Sequence, residues 1–386
     1  MKVVFFSSGL THHQSPFCNE LQKIDGLELC FIASEPIKKE RLALGYEDMN
    51  MYPYVLRAYE SDEQYQRAIE LCKEADIFIY GSCSDEVLLE RAKTGKPLFV
   101  FSERMFKDGL IHAFSPRVIN RMLKTHSSFK NKPAYLLCSS AFTSADFARL
   151  GAYKNKAYKW GYFPETKRYE DISSIMASKE ENSILWAGRM IGWKHPEYAV
   201  AVAEKLKKDG YSFILNMIGN GTLEETLREE IAKKGLEDCV KLCGSMSPER
   251  VREYMEKSKI FLFTSDRHEG WGAVLNESMN SGCTVVASHI IGSVPFMVNN
   301  EKNGLIYKNG DVNSLYKNVK ELLDNPKRTE EMGLAAYDTC ITQWCPENAA
   351  KRFYELAKEI LKGEESPELF ADGVCSKAEF LKDGWY

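Results

Sequence analysis

The sequence predicts an α/β fold with parallel sheets, and three observations carry that expectation. Short apolar runs alternate with amphipathic stretches in both halves of the chain, the pattern of strands joined by helical crossovers. The run Ile260 to Phe263 leads through a glycine-spaced turn into a short helical pattern stopped by Gly282, which is a strand–loop–helix junction. The length, 386 residues, suits two or three domains, and an apolar share of 44% is enough to give each a core.

In chain order, Val3 to Phe6 is the first expected strand, followed by the turn Ser7-Ser8-Gly9 and a loop holding Thr11, His12, His13 and Gln14. Ser15 as N-cap with Pro16 at N1 is expected to start a helix over Phe17 to Lys23. Further strands are expected at Leu29 to Ala33, Asp76 to Gly81, Leu98 to Phe101 and Tyr135 to Cys138. A helix is expected over Asp62 to Glu74, where apolar or aromatic side chains stand at 65, 68, 69 and 72. The first turn lacks G-x-G-x-x-G, so a nicotinamide or flavin dinucleotide site is disfavoured. Paired loop histidines such as His12 and His13 either contact ligand hydroxyls or sit in solvent. Glu103 and Arg104, after the strand at Leu98, present the same choice: Glu103 could bind hydroxyls with Arg104 neutralising it, or the two could form a structural ion pair.

Residues 105–132 are basic, with Lys107, Arg117, Arg121, Lys124, Lys130 and Lys132 against Asp108. Phe106, Leu110, Ile111, Phe114, Val118, Ile119, Met122 and Leu123 are interleaved among them. Such a stretch is either a solvated helix face or a surface able to lie on an anionic membrane. The polar, weakly periodic stretch 166–182 is expected to connect two domains, 1–165 and 183–345, with 346–386 completing the first.

In the second half, the strand Ile184 to Ala187 ends in Gly188-Arg189, with Lys194 five residues later. Phe213 to Ile218 ends in Gly219-Asn220-Gly221, and T-L-E-E from Thr222 is a capping pattern for the next helix. Cys239 to Cys243 is a third strand with Gly244-Ser245-Met246 at its end, and Ser247-Pro248 cap the helix before Ile260. The junction then reads Glu269, Gly270, Trp271, Gly272, Ala273, Val274, with Glu277 about a turn into the helix. Amides at a helix start attract anions, and glycine lets backbone approach a phosphate closely. Carboxylates beside such a site repel the ligand unless they accept hydrogen bonds from hydroxyls further along it, a combination that suits a nucleotide sugar. The remaining elements are the strand Thr284 to Ala287, Gly292-Ser293-Val294-Pro295-Phe296, Asn303-Gly304-Leu305-Ile306, Gly310-Asp311, and the helix Glu347 to Leu361.

At these residues the chain resembles the retaining glycosyltransferases of family 4, over roughly Ser183 to Leu361 in detail and the first 165 residues in outline. The resemblance implies the GT-B fold: two Rossmann-like domains facing each other across a cleft, with the C-terminal helix crossing back to the first. It implies a nucleotide diphosphate sugar donor, most often a UDP-sugar, and a saccharide or lipid-linked acceptor. Arg189 and Lys194 would hold the diphosphate with Gly188 and the amides of Gly270, Trp271, Gly272, Ala273 and Val274. Glu277 would take the ribose hydroxyls and Glu269 those of the transferred sugar. Gly219, Gly244, Ser245 and Met246 would lie along the donor, while Gly9, His12, His13, Glu103 and Arg104 would offer acceptor or sugar contacts. Departures from the family pattern are the single Gly9 in a usually glycine-richer loop, Ser102-Glu103-Arg104 where many relatives have a histidine, and Phe296 where a glutamate is usual.

A net charge of −4 argues against nucleic acid as a partner. Eleven scattered cysteines, several within apolar runs, fit buried thiols in a cytoplasmic protein better than a disulfide framework. Cys239 and Cys243 lack a second ligand pair, and no metal site or resident cofactor is expected. The N-terminal apolar run is too short for a membrane span, which leaves a cytoplasmic protein, with or without contact to the inner face of a membrane. Two further classes stay open: another GT-B enzyme such as an epimerase or phosphorylase, and a non-catalytic nucleotide-sugar binder or partner subunit.

Overall fold

A computed structural model describes residues 1–39, 42, 45, 47–109 and 115–386; Leu110, Ile111 and Phe114 of the basic segment lie outside the described residues. The chain forms two compact units, Met1–Glu165 with Trp344–Trp385, and Thr166–Gln343 with Tyr386.

The first unit is built on a seven-stranded sheet in the order β3-β2-β1-β4-β5-β6-β7, every neighbouring pair parallel. Its strands are β1 (Lys2–Ser7), β2 (Glu28–Ala33), β3 (Val55–Arg57), β4 (Ile77–Tyr80), β5 (Leu98–Ser102), β6 (Ala134–Cys138) and β7 (Ala157–Lys159). Apolar runs such as Ile77-Phe78-Ile79-Tyr80 are buried at every position because helices cover both faces of the sheet. Helix Asp62–Glu74 is capped by Ser61, whose side chain accepts from the Gln64 amide. Its last carbonyls meet Arg91, a fully buried guanidinium that donates to the carbonyls of Cys72 at 2.9 Å, Ala75 at 2.7 Å and Pro97 at 2.6 Å.

Helix Ser15–Gln22 begins at the expected N-cap itself, so its cap lies one residue earlier. Gln14 holds the cap position, and the Gln14 and Ser15 amides both donate to the Thr11 carbonyl at 2.8 Å, so the preceding turn rolls directly into the helix. Helix Pro346–Leu361 follows the second unit in sequence yet belongs to the first. Its Phe353 packs against Phe17, Phe99 and Trp160 with ring centroids 5.2 to 5.9 Å away. The tail beyond it covers the sheet edge. Backbone bonds join Lys159 to Ser376 and Cys375 and Ala378 to Ala157, with an antiparallel bridge at Tyr158 and Lys377, so β7 does not expose an unpaired strand.

The second unit holds a six-stranded parallel sheet in the order β10-β9-β8-β11-β12-β13. Its strands are β8 (Ser183–Ala187), β9 (Ile214–Ile218), β10 (Val240–Gly244), β11 (Ile260–Phe263), β12 (Thr284–Ser288) and β13 (Gly304–Tyr307). The stretch 166–182 contributes to this unit: it carries helix Ile172–Ser178, capped by Asp171 and followed by the buried Lys179. The Lys179 ammonium donates to the carbonyls of Met255, Ser258 and Ser281 at 2.8 to 2.9 Å. Thr222 does not cap its helix; helix Glu224–Lys233 starts after Leu223, whose amide donates to the Met190 carbonyl at 2.9 Å, so backbone replaces the expected side-chain cap. Ser247 and Asp311 do cap their helices. Among the described residues, no helix is long and apolar enough to cross a membrane.

Candidate functional site

In an open parallel sheet, ligands bind beyond the carboxyl ends of the strands where the strand order reverses. In the second unit that place lies between β8 and β11, neighbours in space and far apart in sequence. The residues following β8 include Gly188, Arg189 and Lys194; those following β11 include Glu269 to Val274. The topology thus brings both halves of the expected donor site to one crevice.

There the Lys194 ammonium forms an ion pair with the Glu269 carboxylate, which also accepts a hydrogen bond from the Ser265 hydroxyl at 2.9 Å. The paired side chains are 14% and 10% exposed, so water screens them far less than a surface pair. Both cations lie over the indole of Trp193: the Arg189 guanidinium is 5.6 Å and the Lys194 ammonium 4.7 Å from its ring centroid. Backbone and side chain lace the two loops together. Thr264 Oγ1 donates to the Lys194 carbonyl at 2.7 Å while accepting from Trp186 Nε1 at 2.8 Å, and the Asp266 amide donates to the Trp193 carbonyl at 3.0 Å.

His195, in the left-handed region at φ 49°, is bonded at both ring nitrogens: Nδ1 to Glu197 at 2.7 Å and Nε2 to Asp266 at 3.3 Å. The bonds to Asp266 and Glu197 raise its pKa to about 9 against the opposing effect of partial burial. Burial pushes Asp266 upward, but its bonds to His195 and His268 prevail and hold it at about 2. His268 meets Asp266 through both Nδ1, at 2.7 Å, and its amide, at 2.8 Å.

Glycine is required at two places. Gly272 has φ +81°, and a Cβ there would stand 2.3 Å from Phe263 Cζ and 3.1 Å from Glu269 Cγ. A Cβ on Gly219, at φ +131°, would stand 1.9 Å from the Gly188 carbonyl oxygen, so the glycine turn after β9 makes room for the loop after β8. Helix Val274–Asn280 is only two turns long, so what its start offers an anion is chiefly unsatisfied amides rather than a large macrodipole. Glu277 sits half-buried one turn inside it. Burial raises its carboxyl pKa, and Arg252 pulls the other way. Arg252 Nη1 also anchors the end of this helix through the Glu277 carbonyl at 3.3 Å, Asn280 Oδ1 at 2.9 Å and Ser281 Oγ at 3.2 Å.

Not every expected contact has its side chain available. Trp271 is fully buried, its Nε1 bonded to Asn276 at 2.8 Å and its ring packed 6.3 Å from Phe296, so only its backbone faces a ligand. Phe296, in the usual glutamate's place, is therefore part of the packing behind the glycine turn. Gly244 ends β10 and Ser245 and Met246 follow it, two strands from the reversal on the same sheet edge, with Ser245 exposed.

In the first unit, Glu103 and Arg104 are not paired with each other, which corrects the expected neutralisation. Glu103 pairs with Lys107 and accepts from the Tyr162 hydroxyl at 2.7 Å; Arg104 is buried over the Phe142 ring and bonded to Asp383 at 2.9 Å. Arg104 is thus engaged by the C-terminal tail, and Glu103 by Lys107 and Tyr162. The ring centroids of His12 and His13 are 3.7 Å apart, and His13 stacks on Tyr162 at 5.5 Å. Gly9 is buried beside Asn50, whose Oδ1 accepts from the Leu10 amide at 2.9 Å. In the basic segment, Arg121 forms a two-pronged pair with Asp85 and Lys132 donates to the Ala92 carbonyl, while Arg117, Lys124 and Lys130 are exposed.

Residues not anticipated at the site are Trp193, His195, Ser265, Asp266 and His268. A D-x-H pair three residues after a buried strand, and a histidine directly after the lysine, were the available signals.

Residues 168–339 match the family model described as glycosyl transferases group 1. The chain is 29% identical over 182 residues to the amylovoran biosynthesis glycosyltransferase AmsK of Erwinia amylovora, covering 46% of this chain and 44% of that one. It thus spans less than half the length of that relative. Among solved structures it resembles Anabaena HepE in complex with UDP, with a TM-score of 0.67 and 14% identity over 93% of this chain and all of the other. It also resembles a sucrose-phosphate synthase from Thermosynechococcus elongatus, with a TM-score of 0.66 and 14% identity over 94% of this chain and all of the other. The architecture of two parallel-sheet α/β units is that of the GT-B glycosyltransferase structures.

Proposed function

We propose that the chain is a glycosyltransferase moving a sugar from a nucleotide diphosphate sugar, with UDP as the nucleotide, to a saccharide or lipid-linked acceptor. The observation that carries the reading is the meeting of Arg189, Lys194 and Glu269 at the strand-order reversal of the second unit. The family-model match across that unit and a neighbouring structure that holds UDP support it.

Arg189 offers a planar fork to two phosphate oxygens and Lys194 a point charge. With the amides near Gly272, they oppose the negative charge that grows on the leaving diphosphate as the bond from the sugar's anomeric carbon to the phosphate oxygen breaks. Glu269 accepts hydrogen bonds from hydroxyls of the transferred sugar, and Lys194 and Ser265 fix its orientation beforehand. Glu277 accepts from the ribose hydroxyls; a carboxyl whose proton affinity is raised by burial gains from donors that replace lost water. Transfer proceeds with retention: the departing phosphate takes the acceptor's proton on the face it leaves, and the acceptor oxygen bonds the anomeric carbon on that same face. Fixed cations supply the charge compensation, so no divalent metal is required.

The test is product analysis with a panel of nucleotide sugars in EDTA. Transfer or hydrolysis with the donor's anomeric configuration kept is expected. A strict need for added divalent metal, or an inverted product, would contradict the corresponding part of the reading, and no turnover with any donor would leave only a binder.

Acceptor binding is assigned to the first unit, whose His12, His13 and Glu103 offer partners for hydroxyls. Contact with an anionic membrane is assigned to residues 105–132, where Arg117, Lys124 and Lys130 are exposed and Leu123 is 50% exposed. Flotation with anionic vesicles and not neutral ones is the expected outcome; equal recovery with both would remove the assignment.

A further inference from the structure

Two loops must hold their places for Lys194 and Glu269 to act together, and they come from strands that are adjacent only in the fold. Between them stands a small polar assembly outside the expected donor contacts. Asp266, on the loop after β11, accepts from His195 on the loop after β8 and from both the ring and the amide of His268 on its own loop. His195 spends its second ring nitrogen on Glu197, in the first turn of helix Pro196–Lys208, and its ring stacks on Tyr198 at 4.5 Å and 6°. The backbone continues the connection, through the Asp266 amide to the Trp193 carbonyl and Thr264 Oγ1 to the Lys194 carbonyl.

We infer that His195, held as an imidazolium between Asp266 and Glu197, is a positioning residue that locks the two loops together and so sets the geometry of Arg189, Lys194 and Glu269 for the donor diphosphate. The inference rests on the donor-site reading above. Three features support it. An imidazole bonded at both nitrogens to carboxylates must donate from both, which requires the protonated form. The residue directly follows Lys194, so movement of its backbone moves Lys194. Its backbone lies in the left-handed region at φ 49°, uncommon for a residue other than glycine, and both carboxylate bonds are made from that conformation.

The groups facing His195 are Glu197 and Tyr198 on the helix it precedes and Asp266 on the β11 loop. His268 stands behind Asp266, and Tyr307, at the end of β13, lies near Tyr198. Both carboxylates favour the cation, in line with a pKa raised to about 9. The sign follows directly. The contribution is fully present below the ordinary histidine value of 6.5 and is lost as pH rises through about 9. The lock therefore holds at neutral pH and releases in mild alkali.

The test is calorimetric titration of UDP into the full chain between pH 6 and pH 10, for wild type, His195→Asn, Asp266→Asn and the double variant. Asparagine tolerates the left-handed backbone and keeps one donor while removing the charge, so His195→Asn should fold, and a thermal melt checks that it does. The expected result is UDP binding weakened about 3- to 30-fold at pH 7 by either single change, the range for coupling through a positioning residue, with little added by the second. Wild type should also lose affinity through about pH 9 relative to His195→Asn, since the titration of UDP itself is common to both. A merely structural histidine would lower the melting temperature without producing that difference in pH profile. Unchanged affinity and an unchanged pH profile in His195→Asn would overturn the inference while leaving the donor site standing, provided Arg189→Ala still weakens UDP binding. If UDP does not bind the wild type, the donor-site reading and the lock fall together.

Discussion

At the scale of single residues, the account turns on Glu269, whose carboxylate is oriented by Lys194 and Ser265 before any sugar arrives. Replacing it by alanine removes an acceptor for the transferred sugar but none of the phosphate partners. Glu269→Ala should therefore lose about 100-fold or more in turnover, the size of a preorganised polar contact at a reacting centre, with UDP affinity changed less than about threefold. Turnover near wild type would refute its role. Residues of this kind were legible in sequence because charged side chains at the ends of buried strands stand out, and because their spacing matched a known pattern. Where a side chain points was not legible. Trp271 reads as a contact residue, yet its indole is consumed by the core; Arg104 reads as Glu103's counterion, yet turns to the tail more than 250 residues away, at Asp383. His195 and Asp266 went unnoticed because their meeting depends on β8 and β11 lying side by side, a fact of topology rather than of spacing.

At the scale of elements, the glycine turn and the helix Val274–Asn280 form one packed piece. Arg252, Asn280 and Ser281 fasten its far end, and Gly272 closes its near end against Phe263. A methyl group at 272 meets both a left-handed backbone and a ring 2.3 Å away. Gly272→Ala should destabilise the chain by about 2 to 4 kcal/mol and reduce UDP affinity, read by denaturant titration and calorimetry. A stable variant with normal binding would mean that the turn can rearrange freely. Strands buried on both faces were readable as unbroken apolar runs, and Ile260–Phe263 falls where expected. The strands Val55–Arg57 and Ala157–Lys159 escaped because they are three residues long and lie at the edges of their sheet; the second depends on tail residues 375–378 for its outer partner. Ser15 and Thr222 carry the right side chains for capping, but backbone acceptors at Thr11 and Met190 already serve those helix starts.

At the scale of the whole molecule, two units with separate cores share one chain, and the helix Pro346–Leu361 returns to complete the first through Phe353. Nothing in the periodicity of residues 346–361 identifies which core they serve; aromatic partners at Phe17, Phe99 and Trp160 decide it. The claim on which the functional account rests is confined to the second unit: that its strand-order reversal is a diphosphate site built from Arg189, Lys194 and the amides near Gly272. The most direct measurement is calorimetric titration of UDP into the EDTA-treated full chain, for wild type and for Arg189→Ala. The account predicts one UDP per chain without metal, and binding at least about tenfold weaker in the variant, as expected when a charge-assisted phosphate contact is lost. Equal affinity in the two proteins, or no binding to either, would contradict it.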